Sequence, residues 1–215
     1  MKTPFTQEQF FQVFEKYNHA VFPLQLALFG FGILVVLLIH RDLKNKSLWI
    51  GGFLALLWLW TGIAYHLSFF TPINRAAYGF GGIFILQGIF FLIETFRGRL
   101  QFSQKNHTWQ YIGYFFVLFG LIIYPLISYA LSEFAAQTIS LGLPCPTTIF
   151  TLGWLMFTSR QFPKYLLIIP ILWALIGTGA AINFGVYQDY VMLIAAAATA
   201  IYLFPRKKKE TATSV

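Results

Sequence analysis

The sequence predicts an all-α membrane protein: a seven-transmembrane-helix bundle, N-terminus outside and C-terminus inside, preceded by a short interfacial helix. Three observations lead there. Hydrophobic residues are 58% of the 215 and charged residues 10%, with a mean hydropathy of +0.67, whereas a soluble domain carries about 25% charge. Apolar runs of roughly 20 residues recur along the chain, the length that crosses a hydrocarbon core about 30 Å thick. The basic residues fall between those runs and in alternation, which is the pattern that orients a polytopic chain.

The first element is short and amphipathic. Thr6-Gln7-Glu8-Gln9 fits a capping box, with Thr6 as N-cap and Gln9 reaching back to it. Phe5 and Phe10 stand where a hydrophobic staple places them. Phe10, Phe14 and Tyr17 then share one face while Gln9, Gln12, Glu15 and Lys16 are polar, so residues 1–18 are expected to lie on the membrane surface. They do not read as a secretory signal peptide, because Glu8 and Glu15 offset Lys2 and Lys16 and no small-x-small cleavage site follows.

The spans are 20–40, 48–70, 76–96, 109–131, 141–159, 165–184 and 186–204. Short connections make residues 1–215 a single domain, with the bundle over 19–205 and a basic tail over 206–215. Arg41, Lys44, Lys46, Arg97, Arg99, Lys105, Arg160, Lys164, Arg206 and Lys207 to Lys209 fall on one side, twelve in all. Lys2, Lys16 and Arg75 fall on the other. The twelve mark the cytoplasmic side. The net charge of +8 is therefore a topology signal, and no nucleic-acid partner is expected. The bilayer itself is the first partner.

The fifth span is the unusual one. Its motif, Leu141-Gly142-Leu143-Pro144-Cys145-Pro146-Thr147-Thr148, holds the single cysteine and two prolines, and only 14 residues separate Pro146 from Ser159 inclusive. That is roughly 21 Å of helix, short of the membrane. Leu141–Pro144 is expected to be irregular, with the helix proper beginning at Pro146 and Cys145 at its cap. Irregular backbone at membrane depth must be covered by protein or line a cavity, so the other spans are expected to pack around this one.

Sorted by depth, the polar residues gather at the outer end: Tyr65, His66, Asn74, Cys145, Thr147, Thr148 and Asp189, with Gln25, Thr61 and Gln87 deeper. An outward-facing polar pocket lined by Tyr65, His66, Asn74, Gln87, Cys145, Thr147, Thr148 and Asp189 is the simplest arrangement, since polar groups in lipid need partners or water. Each residue also has a structural reading. Asn74 can cap the third span, Asp189 can favour the first turn of the last helix, Thr147 and Thr148 can bond back to their own helix, and Cys145 can be an inert apolar residue. No HxxxH, HxxE or CxxC spacing occurs, so no metal and no cofactor are expected. The chain also lacks a Gly-x-Ser-x-Gly elbow, a His-Glu-x-x-His helix and a P-loop.

The opening Pro-Phe-Thr-x-Glu-Gln-Phe-Phe from Pro4, the segment Ala64-Tyr65-His66…Asn74, and Pro144-Cys145-Pro146-Thr147-Thr148-Ile149-Phe150-Thr151 resemble a family of uncharacterised bacterial inner-membrane proteins, loosely labelled permease-like. The resemblance implies a bacterial source and a cytoplasmic-membrane location, and brings no activity or catalytic residue. Three functions stay open: binding or passage of a small ligand or ion, of permease or receptor type; a membrane-embedded enzyme using Cys145 and His66; and a structural or assembly partner.

Overall fold

Thr6 starts the first helix as the sequence requires. Its hydroxyl accepts from the Gln9 amide at 3.2 Å while the Gln9 side chain accepts from the Thr6 amide at 2.9 Å, and the Phe5 and Phe10 rings stack 6.0 Å apart. The computed structural model describes residues 4–104, 108–158 and 162–204. Lys2, Lys105, Arg160 and the basic tail from Arg206, all part of the charge count above, lie outside the described residues.

Helix α1 (Gln7–Val21) runs three residues past the expected end and buries Val13, Phe14, Tyr17 and Val21. At Phe22–Pro23 the chain turns by 86° into α2 (Leu24–Leu38); Pro23 has no amide hydrogen to continue the α1 ladder. Then follow α3 (Lys46–Phe70), α4 (Ala77–Phe96) and α5 (Thr108–Leu131). After residues 132–143 come α6 (Pro144–Leu155), α7 (Lys164–Phe184) and α8 (Tyr190–Leu203). No strand forms among the described residues beyond two isolated bridges.

Four of these helices, α3, α4, α5 and α7, are long and apolar enough to cross a membrane, and the bent pair α1–α2 could supply a fifth span. At about 1.5 Å per residue, the 12-residue α6 and the 14-residue α8 are individually too short to do so. The distribution of side chains fits lipid surroundings. Leu26, Leu37, Leu126, Ile168, Leu175 and Ile194 are exposed, while Thr61, His66, Gln87, Thr147, Thr151 and Thr199 are fully buried, the inverse of a water-soluble surface.

Helix α6 is the hub. Every residue from Pro144 to Leu155 except Cys145 is buried, and α3, α5, α7 and α8 all pack against it. It begins at Pro144, two residues earlier than expected, because the Thr147 amide already reaches the Leu143 carbonyl at 3.2 Å. Pro144 occupies the first helical position, where its missing amide hydrogen costs nothing. Cys145 is thus the second helical residue and not the cap. The irregular segment is Leu141–Leu143, ahead of the prolines.

That irregular backbone sits on a set of matched polar groups. The Gly142 carbonyl accepts from the Thr61 hydroxyl at 3.0 Å and the Tyr17 hydroxyl at 3.4 Å, and Tyr17 accepts from the Trp60 indole at 2.6 Å. The Gly142 amide donates to Thr147 Oγ1 at 3.1 Å. Asn18 donates to the Ala136 and Thr138 carbonyls, and the Ile139 amide donates to Ser128 Oγ. Backbone that leaves regular structure away from water must find such partners. Tyr17, Asn18, Trp60, Thr61, Ser128 and Thr147 thus serve as scaffolding for this segment and its approach.

Two helices widen to i→i+5 hydrogen bonding next to this hub. In α3 the wide turns cover Thr61–Phe70, with the Thr71 amide reaching the His66 carbonyl. In α5 they cover Phe119–Ile123, directly before Tyr124-Pro125, where proline withholds a donor. Such widening redirects side chains and frequently accompanies functional sites. It leaves the consecutive Tyr65 and His66 both buried, and turns Tyr124 wholly inward.

Candidate ligand cavity

A cavity of about 390 Å³ lies where the ends of α3 and α7, the starts of α6 and α8, and α1 meet. The structure brings five of the sequence-predicted site residues to it: Tyr65, His66, Asn74, Cys145 and Asp189. It places the other three elsewhere. The Gln87 amide donates to the Leu166 carbonyl at 2.9 Å, holding the tight first turn of α7. Thr147 serves Gly142, and Thr148 bonds back to the Pro144 carbonyl at 2.8 Å. The Gln87 amide nitrogen and the Thr147 and Thr148 hydroxyls are engaged by irregular or proline-disrupted backbone, and none of the three residues lines the cavity.

The walls differ from the expected polar pocket. Aromatic rings dominate them, including Phe10 and Phe184, whose centroids stack 4.6 Å apart, and the parallel rings of Phe14, Tyr65 and Phe70. Tyr124 and Trp173 also line it. Sequence reasoning missed both, because in a chain that is 20% aromatic neither has a local signature.

Several buried side chains among the described residues carry an unpartnered polar atom, Trp173 at the cavity wall included, and His66 alone of these leaves two ring nitrogens so. It is completely buried, ringed by Tyr65, Phe70, Phe80, Phe84 and Trp173 at centroid distances from 4.7 to 6.2 Å, and neither ring nitrogen has a hydrogen-bond partner. An imidazole always has at least one donor, and leaving such a group unpaired costs about 1–3 kcal/mol. Both nitrogens belong to a residue that faces the cavity.

The opposite polar corner is well matched. Tyr124 donates a short hydrogen bond to Asp189 Oδ1, and the Cys145 thiol faces both the Asp189 carboxyl and the Trp173 indole. Asp189 precedes α8 but makes no cap bond with its side chain. Its buried counterpart at α4, Glu94, is bound by Arg97 at 3.0 Å and Arg99 at 3.1 Å. Asp189 has no such cation among the described residues. Asn74 is not the cap expected of it: the cap position of α4 is Ala76, with no side-chain cap bond, and Asn74 Oδ1 accepts from the Ala76 amide at 3.1 Å in the turn ahead of the helix. No group of three potential metal ligands converges among the described residues. Because both His66 nitrogens lack partners, no Cys145–His66 hydrogen bond is formed.

Fold and cavity together define an all-helical protein with several helices able to span a membrane and a buried aromatic chamber beside its central short helix. Residues 7–214 match the family of unknown function DUF6064, and the chain belongs to it. No curated protein and no solved structure matches the chain.

Proposed function

We propose that the chain is a seven-span protein of the bacterial cytoplasmic membrane, N-terminus outside, whose aromatic cavity opens outward and binds a small ligand for recognition or passage. The observation that carries the ligand reading is His66: a fully buried imidazole with two unpartnered nitrogens beside an adjoining cavity presents polar atoms that a ligand, or the water it displaces, would satisfy. The volume of about 390 Å³ falls within the range of small-molecule sites. The twelve-to-three division of basic residues supports the orientation. In this reading α2, α3, α4, α5, α6, α7 and α8 are the spans, with the short α6 completed by covered irregular backbone, and α1 lies along the outer surface with Phe10 and Phe14 against the cavity.

The single cysteine makes this testable in intact cells. A small membrane-impermeant methanethiosulfonate added from outside should modify Cys145, and His66→Trp, which adds bulk beside the cavity, should slow the reaction several-fold. Modification that occurs only after the membrane is permeabilised would reverse the orientation, and a rate indifferent to His66→Trp would separate the cysteine from the cavity.

A further inference from the structure

The charge distribution around the cavity is one-sided. In a chain with fifteen Lys and Arg against seven Asp and Glu, the one residue of these four types that lines the cavity among the described residues is an acid, Asp189. A second hollow of about 430 Å³ adjoins it, sharing Phe184 and Val186, and is lined by Glu8 and Glu133. No lysine or arginine among the described residues lines either one. Glu94, by contrast, is met by two arginines, so the fold does pair a buried carboxyl where pairing is its purpose.

From this we propose that the cavity is a site for a small organic cation, an ammonium or quaternary ammonium compound with apolar substituents. The proposal rests on the ligand reading above and names its chemical class. Three features fit one another. Aromatic rings attract a desolvated cation through their quadrupoles, as in the cages that hold quaternary ammonium groups. Asp189 supplies the counter-charge that no side chain supplies to it. His66 offers one ring nitrogen as acceptor for an N–H or O–H on the ligand, and its ring N–H as donor to a ligand oxygen. The adjoining hollow, with Glu8 and Glu133, raises the local cation concentration at the approach and disfavours anions.

The test is isothermal titration of the full-length protein in a nonionic detergent, with choline and with its uncharged carbon counterpart, 3,3-dimethylbutan-1-ol. The two have nearly the same shape and hydroxyl, and differ in charge. Choline should bind roughly tenfold more tightly or better, the scale of a desolvated cation–π contact. Asp189→Asn should remove most of that preference, and Glu8→Gln with Glu133→Gln should weaken the salt dependence of choline binding. Equal or tighter binding of the alcohol would overturn the cation assignment while leaving a site for neutral ligands. Binding of neither would also overturn it, and cysteine modification then decides separately whether the cavity is a site at all. The comparison of two ligands on the unaltered protein holds even if Asp189→Asn fails to fold.

Discussion

Gly153→Ala should lower the stability of the detergent-solubilised protein by about 3 kcal/mol, near the upper end for overpacking. A Cβ at Gly153 would lie 2.7 Å from the Val117 amide nitrogen and 2.8 Å from the Gly113 carbonyl oxygen. Both are backbone atoms of α5, so no side-chain rotation relieves the contact; the two helices must move apart. Facing it, α5 presents Gly113 and Gly120, and a Cβ on Gly120 would meet the Pro146 carbonyl oxygen at 2.7 Å. Small residues that bring helix backbones together are a general device of membrane bundles. Here they seat the hub helix α6. Thermal unfolding monitored by size-exclusion chromatography should show a markedly lower midpoint for Gly153→Ala. The same change at Gly52, whose Cβ would meet nothing within 4 Å, should be nearly silent.

Gly142→Ala should cost about 2–4 kcal/mol through two separable effects. Gly142 has φ +98°, a conformation that costs a residue with a side chain on the order of 1–3 kcal/mol. The new Cβ would also lie 2.8 Å from Leu28 Cδ1. If the peptide rotates to escape, its carbonyl leaves Thr61 and Tyr17 and its amide leaves Thr147. Leu28→Ala, a truncation at the contact, should recover the steric part and not the backbone part, so the double-mutant cycle of thermal midpoints isolates the strain. Full recovery in the double variant would refute the backbone contribution.

Much of the fold is legible in the sequence for definite reasons. Thr6 and Gln9 form their capping box because the two side chains and two amides are three residues apart, which is purely local chemistry. The apolar runs mark helices because length and composition suffice. The start of α6 is less legible. Pro144 and Pro146 both suit a first turn, and only the extended Leu143, held by the Gly142 turn, decides for Pro144.

The site is half legible, and the division has a physical cause. His66, Cys145 and Asp189 converge, as their common depth suggests. Gln87, Thr147 and Thr148 share the chemistry of ligand-binding residues but are spent on the Leu166 carbonyl, the Gly142 amide and the Pro144 carbonyl. From sequence alone, a hydroxyl that satisfies irregular backbone looks the same as one that meets a ligand. Tyr124 reaches Asp189 because wide turns precede Pro125, and that rotation has no local signature beyond the proline. The aromatic character of the cavity was hidden for the opposite reason, since aromatic residues occur everywhere in the chain.

If His66 is kept for a ligand, it is kept at the expense of stability. The direct measurement is the thermal midpoint of ligand-free His66→Phe against the unaltered protein in the same detergent. Phenylalanine keeps a ring within the cage of Phe70, Phe80, Phe84 and Trp173 and removes two unpartnered nitrogens. The variant should therefore be more stable, by about 1–3 kcal/mol, as expected where a functional residue strains its surroundings. A clear loss of stability would mean that His66 is already satisfied within the fold, and would contradict its role as a ligand contact.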